Sequence, residues 1–133
     1  MSKNEVLYST YQRVKENRCQ EWKDSKAFYE WYWRTKEAQK SNCKYCNLPG
    51  NTTEHYGKTF RKGNRGSRLE VDRQDNTKPY SPENCVLACY PCNNAKSDVF
   101  SSQEFEVIGN AIGRVKLRKR IISILHLLIH RLH

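Results

Sequence analysis

Cys43-Lys44-Tyr45-Cys46 and Cys89-Tyr90-Pro91-Cys92 are two Cys-x-x-Cys knuckles, and their reading decides the fold. Each knuckle sets two thiolates close enough to share one tetrahedral ion, and two knuckles close a four-sulfur site. Such a site has no open coordination position, so a zinc ion held there is structural. It ties the loop at Cys43 to the start of a helix near Cys92. In a small chain that binding energy becomes folding energy. The competing reading is a redox-active cysteine pair. Cys19 and Cys85 fall outside the pattern and read as small buried apolar groups.

Between the knuckles, Leu69-Glu70-Val71-Asp72 alternates apolar and polar, as a half-buried strand does. Gln74 to Pro82 is a polar connection, and Cys85-Val86-Leu87-Ala88 is the returning strand. A helix is expected to start at Cys92. The result is an α+β core of two strands and a helix, stapled by zinc.

Asp72-Arg73-Gln74-Asp75-Asn76, Tyr80, Asn84 and Cys92-Asn93 resemble the HNH (ββα-metal) endonucleases. They resemble above all a phage and bacterial sub-branch with Asp-Arg in place of Asp-His. An Asn directly after the second knuckle is similar to phage endonuclease VII. The resemblance runs from about Cys43 to Lys96. It implies a ββα-metal core with flanking N- and C-terminal helices and a metal-dependent DNA endonuclease activity that leaves 5′-phosphate and 3′-hydroxyl ends. Carried over by position, Asp72 and Asn93 are the ligands of a catalytic Mg²⁺ or Mn²⁺, for which oxygen donors are suited. Asn84 is the loop Asn that pins the connection to the backbone. The alternative is a catalytically impaired zinc-knuckle protein of the same fold that only binds DNA.

Arg73 departs from the family, which has a His general base there. An arginine stays protonated and cannot take a proton from water. Three readings follow. His55 or Asp75 acts as base; or water at the metal needs little help while Arg73 clamps the phosphate; or catalysis is lost. His55 also reads simply as a surface-loop histidine.

Outward from this core, Lys58, Arg61, Lys62, Arg65 and Arg68 form a basic loop without an acid. With Lys96 past the second knuckle, they are the expected DNA contacts. Leu7, Tyr11 and Val14, then Phe28, Trp31 and Tyr32 behind an Asp24 or Ser25 cap, fall at helical spacing and read as core. Ser101 to Glu104 is a capping box opening C-terminal helices. Beyond Glu106 there is no carboxylate side chain; Arg114, Lys116, Arg118, Lys119 and Arg120 precede an amphipathic run from Ile121 to His133. A further reading is an interaction module in which Ile121 to Leu132 mediates self-association or docking.

The whole reads as one compact unit of 133 residues: a helical segment 1–40, the zinc core 41–100 and basic helices 101–133. Twenty-four Lys and Arg against 14 Asp and Glu give a net charge of +10, which points to a nucleic-acid partner. No signal-peptide pattern or membrane-length apolar run is visible. The expected location is therefore intracellular, in the cytoplasm of a bacterial or phage-infected cell, where thiols stay reduced.

Overall fold

α1 (Glu5–Asn17) and α2 (Ser25–Ala38) pack through the side chains whose spacing marked them as core. Leu7, Tyr11 and Val14 of α1 are buried, and so are Phe28, Trp31 and Tyr32 of α2. Tyr11 meets Phe28 with ring centroids 5.3 Å apart, and Trp22, from the connection, meets Phe28 edge-on at 5.1 Å. Asp24 caps α2 by accepting from the Ala27 N–H at 2.8 Å. These features belong to a computed structural model that describes residues 2–17, 20–51 and 65–132.

The sheet is a single antiparallel hairpin. β1 (Glu70–Arg73) pairs with β2 (Cys85–Ala88), with Glu70 opposite Ala88 and Arg73 opposite Cys85. β1 was expected to be half-buried, but all four of its residues are buried. The reason is that the hairpin is covered on both sides. The helical N-terminal layer lies on one side: Tyr32 donates its hydroxyl to the Leu69 carbonyl at 2.6 Å, and the Gln39 amide bonds both Leu87 backbone groups, at 2.8 and 3.0 Å. α3 (Tyr90–Lys96), with Pro91 in its first turn, covers β1 on the other.

The C-terminal segment is one helix, α4 (Ser102–Arg131), where several were expected. Its capping box is formed, with Ser101 and Glu104 satisfying each other's backbone N–H. No proline interrupts it, and its two glycines do not break it because they are contact points. A Cβ on Gly109 would lie 2.8 Å from the Tyr45 carbonyl oxygen, and one on Gly113 2.8 Å from that of Cys46. The helix thus lies directly on the first knuckle as far as Lys116. From Leu117 to Leu132 every residue is exposed. Among the described residues, no helix is long and apolar enough to cross a membrane.

Alanine normally strengthens a helix relative to glycine, by roughly 0.5–1 kcal/mol. Here the opposite sign is expected. Gly113→Ala should lower unfolding stability by about 1–3 kcal/mol, the usual range for overpacking, because the obstacle is a backbone carbonyl. Chemical denaturation of the metal-loaded protein measures this, and a more stable variant would show that α4 does not seat on the knuckle.

Candidate active site and metal centre

The four knuckle cysteines converge. Cys43, Cys46, Cys89 and Cys92 are all buried, and their Sγ atoms lie within 4.8 Å of one another. Cys46 and Cys89, from opposite knuckles, are 3.8 Å apart. Zn–S bonds of about 2.3 Å in a tetrahedron separate the sulfurs by about 3.8 Å, so the arrangement fits a zinc site. The cysteines are free, not paired as disulfides. Cys85 stands apart: burial pushes its thiol up to about 12, which leaves it an inert core group.

Lys116 of α4 closes the cage from the side. It is fully buried, with Nζ 3.1 Å from Cys89 Sγ and 3.4 Å from Cys46 Sγ. Burial works against its charge, but the thiolates of Cys89 and Cys46 outweigh burial and raise its pKa above the ordinary lysine value. Four thiolates around a divalent ion carry a net negative charge, and one buried ammonium offsets part of it. By sequence Lys116 belongs to the basic run Arg114 to Arg120, whose other members are exposed. The observation that separates it is its position one helical turn beyond Gly113.

On the α3 side of β1, Glu70 and Asp72 share a face because they are two residues apart. Asn93 donates its amide to Glu70 Oε2 at 2.8 Å, and Arg65 grips the same carboxylate with both arms of its fork, at 2.8 and 2.6 Å. The guanidinium also stacks on Tyr90, 4.5 Å from its centroid. One pleat along, Asp72 accepts from the Tyr45 hydroxyl at 2.5 Å and from Lys96 Nζ at 3.3 Å. Burial raises the Asp72 pKa, while Tyr45 and Lys96 pull the other way. The neighbour of Asn93 is therefore Glu70, which sequence reading passed over; Asp72 is turned toward Tyr45 and Lys96. The signal was available in the two-residue periodicity of the strand.

No family model and no curated protein matches the chain. A solved structure does: the rare-cutting HNH restriction endonuclease PacI, in work on its mechanism of DNA perturbation. The likeness has 31% sequence identity and a TM-score of 0.68, and covers 86% of this chain and 80% of that one. The chain belongs to the HNH endonucleases. The α+β core is that of the family, and its four cysteines are positioned as a zinc site.

In this HNH core the hairpin connection is held by one side chain. Asn84 accepts from the Asp75 N–H and donates to the carbonyls of Asp75 and Pro79, all three at 3.0 Å. Arg73, expected to clamp phosphate, is buried and committed elsewhere. It donates to the Lys78 carbonyl at 3.1 Å and to Asp98 at 3.0 Å, and lies 5.0 Å over the Tyr80 ring. Asp75 is a poor base, since the Thr77 hydroxyl and N–H hold its carboxyl below the usual range.

The expected DNA contacts that are described also face inward. Arg65 holds Glu70, and Arg68 donates to the Val6 carbonyl and to Ser9 on α1. Lys96 is 0% exposed and spends its three protons on Asp72, the Arg73 carbonyl and Asn76. Lys96 has no proton left for phosphate, whereas Arg65 and Arg68 each commit two of their five N–H donors inside the protein. His55, Lys58, Arg61 and Lys62 lie outside the described residues, as does Cys19.

Two outcomes follow. Chelation, or Cys43→Ser, should strip the metal and unfold the core, seen as loss of bound metal with loss of near-UV dichroism; Cys85→Ser should retain the metal. Metal loss with the fold intact would show the cage is not what holds the domain. Arg73→Lys keeps the charge but not the fork or the stacking. It should lower the thermal midpoint, by several degrees for a domain of this size, and an unchanged midpoint would return Arg73 to a solvent-facing role.

Proposed function

We propose that the chain is a metal-dependent endonuclease that hydrolyses DNA phosphodiesters, with zinc in the cysteine cage and Mg²⁺ or Mn²⁺ at the β1–α3 face. Membership of the HNH endonucleases carries this reading. Supporting it locally, Asn93 and two carboxylates, Glu70 and Asp72, line one face of β1 and α3. Carboxylate and amide oxygens are the donors that hard divalent cations take. The Asn93 amide offers its oxygen to a cation by turning about its last side-chain bond.

A bound divalent cation supplies charge stabilisation at the scissile phosphate. The chain's own residues do the rest. Arg65 and Tyr90 fix the Glu70 carboxylate, Tyr45 and Lys96 fix that of Asp72, and Asn84 fixes the connection between them and β2. The exposed Arg114, Arg118 and Arg120 of α4, with Lys58, Arg61 and Lys62, are left for the DNA backbone. With Arg73 permanently protonated and Asp75 held acidic, His55 is the protein's remaining candidate base. The three sequence segments act here as one unit, located inside the cell.

One observation favours the alternative of an HNH-fold protein that binds DNA without cutting it. Both Asp72 oxygens and both described arms of Arg73 are already bonded within the protein. Supercoiled plasmid incubated with Mg²⁺ or Mn²⁺, with and without chelator, separates the two. Cutting should require the cation and should fall by roughly 10²-fold or more in Asn93→Ala, Asp72→Ala and Glu70→Gln, the scale on which losing one preorganised electrostatic group is felt. Salt-sensitive DNA binding with no cutting of any DNA form would establish the binding module instead.

A further inference from the structure

Three of the chain's four histidines fall in its last eight residues, at 126, 130 and 133. Steps of four and three residues put side chains on one face of a helix. The helix that such a face needs is present: α4 runs unbroken to Arg131, and His126 and His130 are both exposed on it. His133 lies outside the described residues. The pair lies beyond Lys116, the last residue that α4 buries, and so apart from the cysteine cage and the β1–α3 face.

We infer that His126 and His130 form a further metal site, one that takes a late first-row divalent cation such as Zn²⁺, Ni²⁺ or Cu²⁺. Cβ atoms four residues apart on a helix are about 5–6 Å from each other. With a metal–nitrogen bond of about 2 Å, two imidazoles on adjacent turns close on one ion from either side. The donor set decides the class of ion. Both ligands are imidazole nitrogens, and no carboxylate side chain follows Glu106 in the chain, so the outer turns of α4 offer no acidic oxygen. Imidazole suits zinc, nickel and copper, whereas Mg²⁺ and Mn²⁺ take oxygen donors. The site is independent of the endonuclease reading.

The basic character of α4 opposes a cation here less than its composition implies. Arg131 adjoins His130 in sequence but is turned about 100° from it around the helix. Lys119 shares the histidine face but lies about 10 Å before His126, at ~1.5 Å per residue. That is about one Debye length at ordinary salt, so its repulsion is largely screened. The helix itself works the other way. His130 is in the last turn of α4, where the backbone carbonyls carry the negative end of the helix dipole and favour positive charge. An ion bridging His126 and His130 binds only the helical form, so it stabilises those turns.

The test uses the full chain with zinc already in the cage, in excess Mg²⁺ to fill oxygen-ligand sites, and with His133→Ala so that the terminal imidazole plays no part. Calorimetric titration of this parent with Ni²⁺ should show one ion per chain that depends on the pair. A second imidazole reaching an ion already held by the first binds intramolecularly, which raises affinity by roughly 10²-fold or more. His130→Ala and His126→Ala should therefore each weaken that ion by about 10²-fold, with cage zinc and far-UV dichroism unchanged. Moving the ligand is the sharper control. His130→Ala with Leu127→His keeps two imidazoles but sets them on adjacent residues, which do not face each other, and should bind as weakly as His130→Ala alone. Equal Ni²⁺ affinity in the parent and either single variant, or full affinity in the chain carrying Leu127→His, overturns the site. So does Ni²⁺ uptake accounted for entirely by displacement of zinc from the cage.

Discussion

Four cysteine sulfurs, two from a loop after α2 and two flanking the start of α3, have to be kept within 4.8 Å of each other, and most of the remaining structure can be understood from that requirement. Like-charged thiolates repel unless an ion holds them, so the elements that carry them need support from every side. α4 lies so close to the first knuckle that only glycine fits at two positions, and Lys116 brings a buried positive charge to the sulfurs. Lys44 donates its N–H to the Leu87 carbonyl at 3.0 Å, which joins the first knuckle to β2 just ahead of the second. The ion and the protein thus stabilise one another: the cage orders a small core, and the core holds the cage in ligand geometry.

The β1–α3 face illustrates a second constraint. Covering both sides of a four-residue strand buries Glu70, Asp72 and Arg73, and buried charges persist only when paired and hydrogen-bonded. Each one is. Glu70 takes Arg65 and Asn93, Asp72 takes Tyr45 and Lys96, and Arg73 takes Asp98 and Tyr80. Such a network holds the two carboxylates to within narrow limits, as the proposed metal site needs. It also means that much of the positive charge near the site is internal, so the net charge of +10 overstates what the described core presents to DNA.

The exposed half of α4 belongs to a different regime. It is basic at its start and mostly apolar from Ile121 to Ile129, and carries none of the buried ion pairs that organise the core.

What the sequence by itself determined was what short-range spacing controls, namely the two cysteine pairs, the apolar faces of α1 and α2, the two strands between the knuckles and the Ser101 capping box, and, through the resemblance of its motifs, the HNH family. Each cysteine pair, helix face, strand and cap joins residues only a few positions apart, so spacing alone reveals it. Only the tertiary structure decided which acidic residue of β1 stands beside Asn93, and that Arg65, Arg68, Arg73, Lys96 and Lys116 turn inward. A lysine or arginine has the same sequence signature whether water or a buried acceptor meets its charge. The choice depends on how closely segments distant in the chain approach, as α4 does to Cys46 and α3 to β1, and that approach is set by packing.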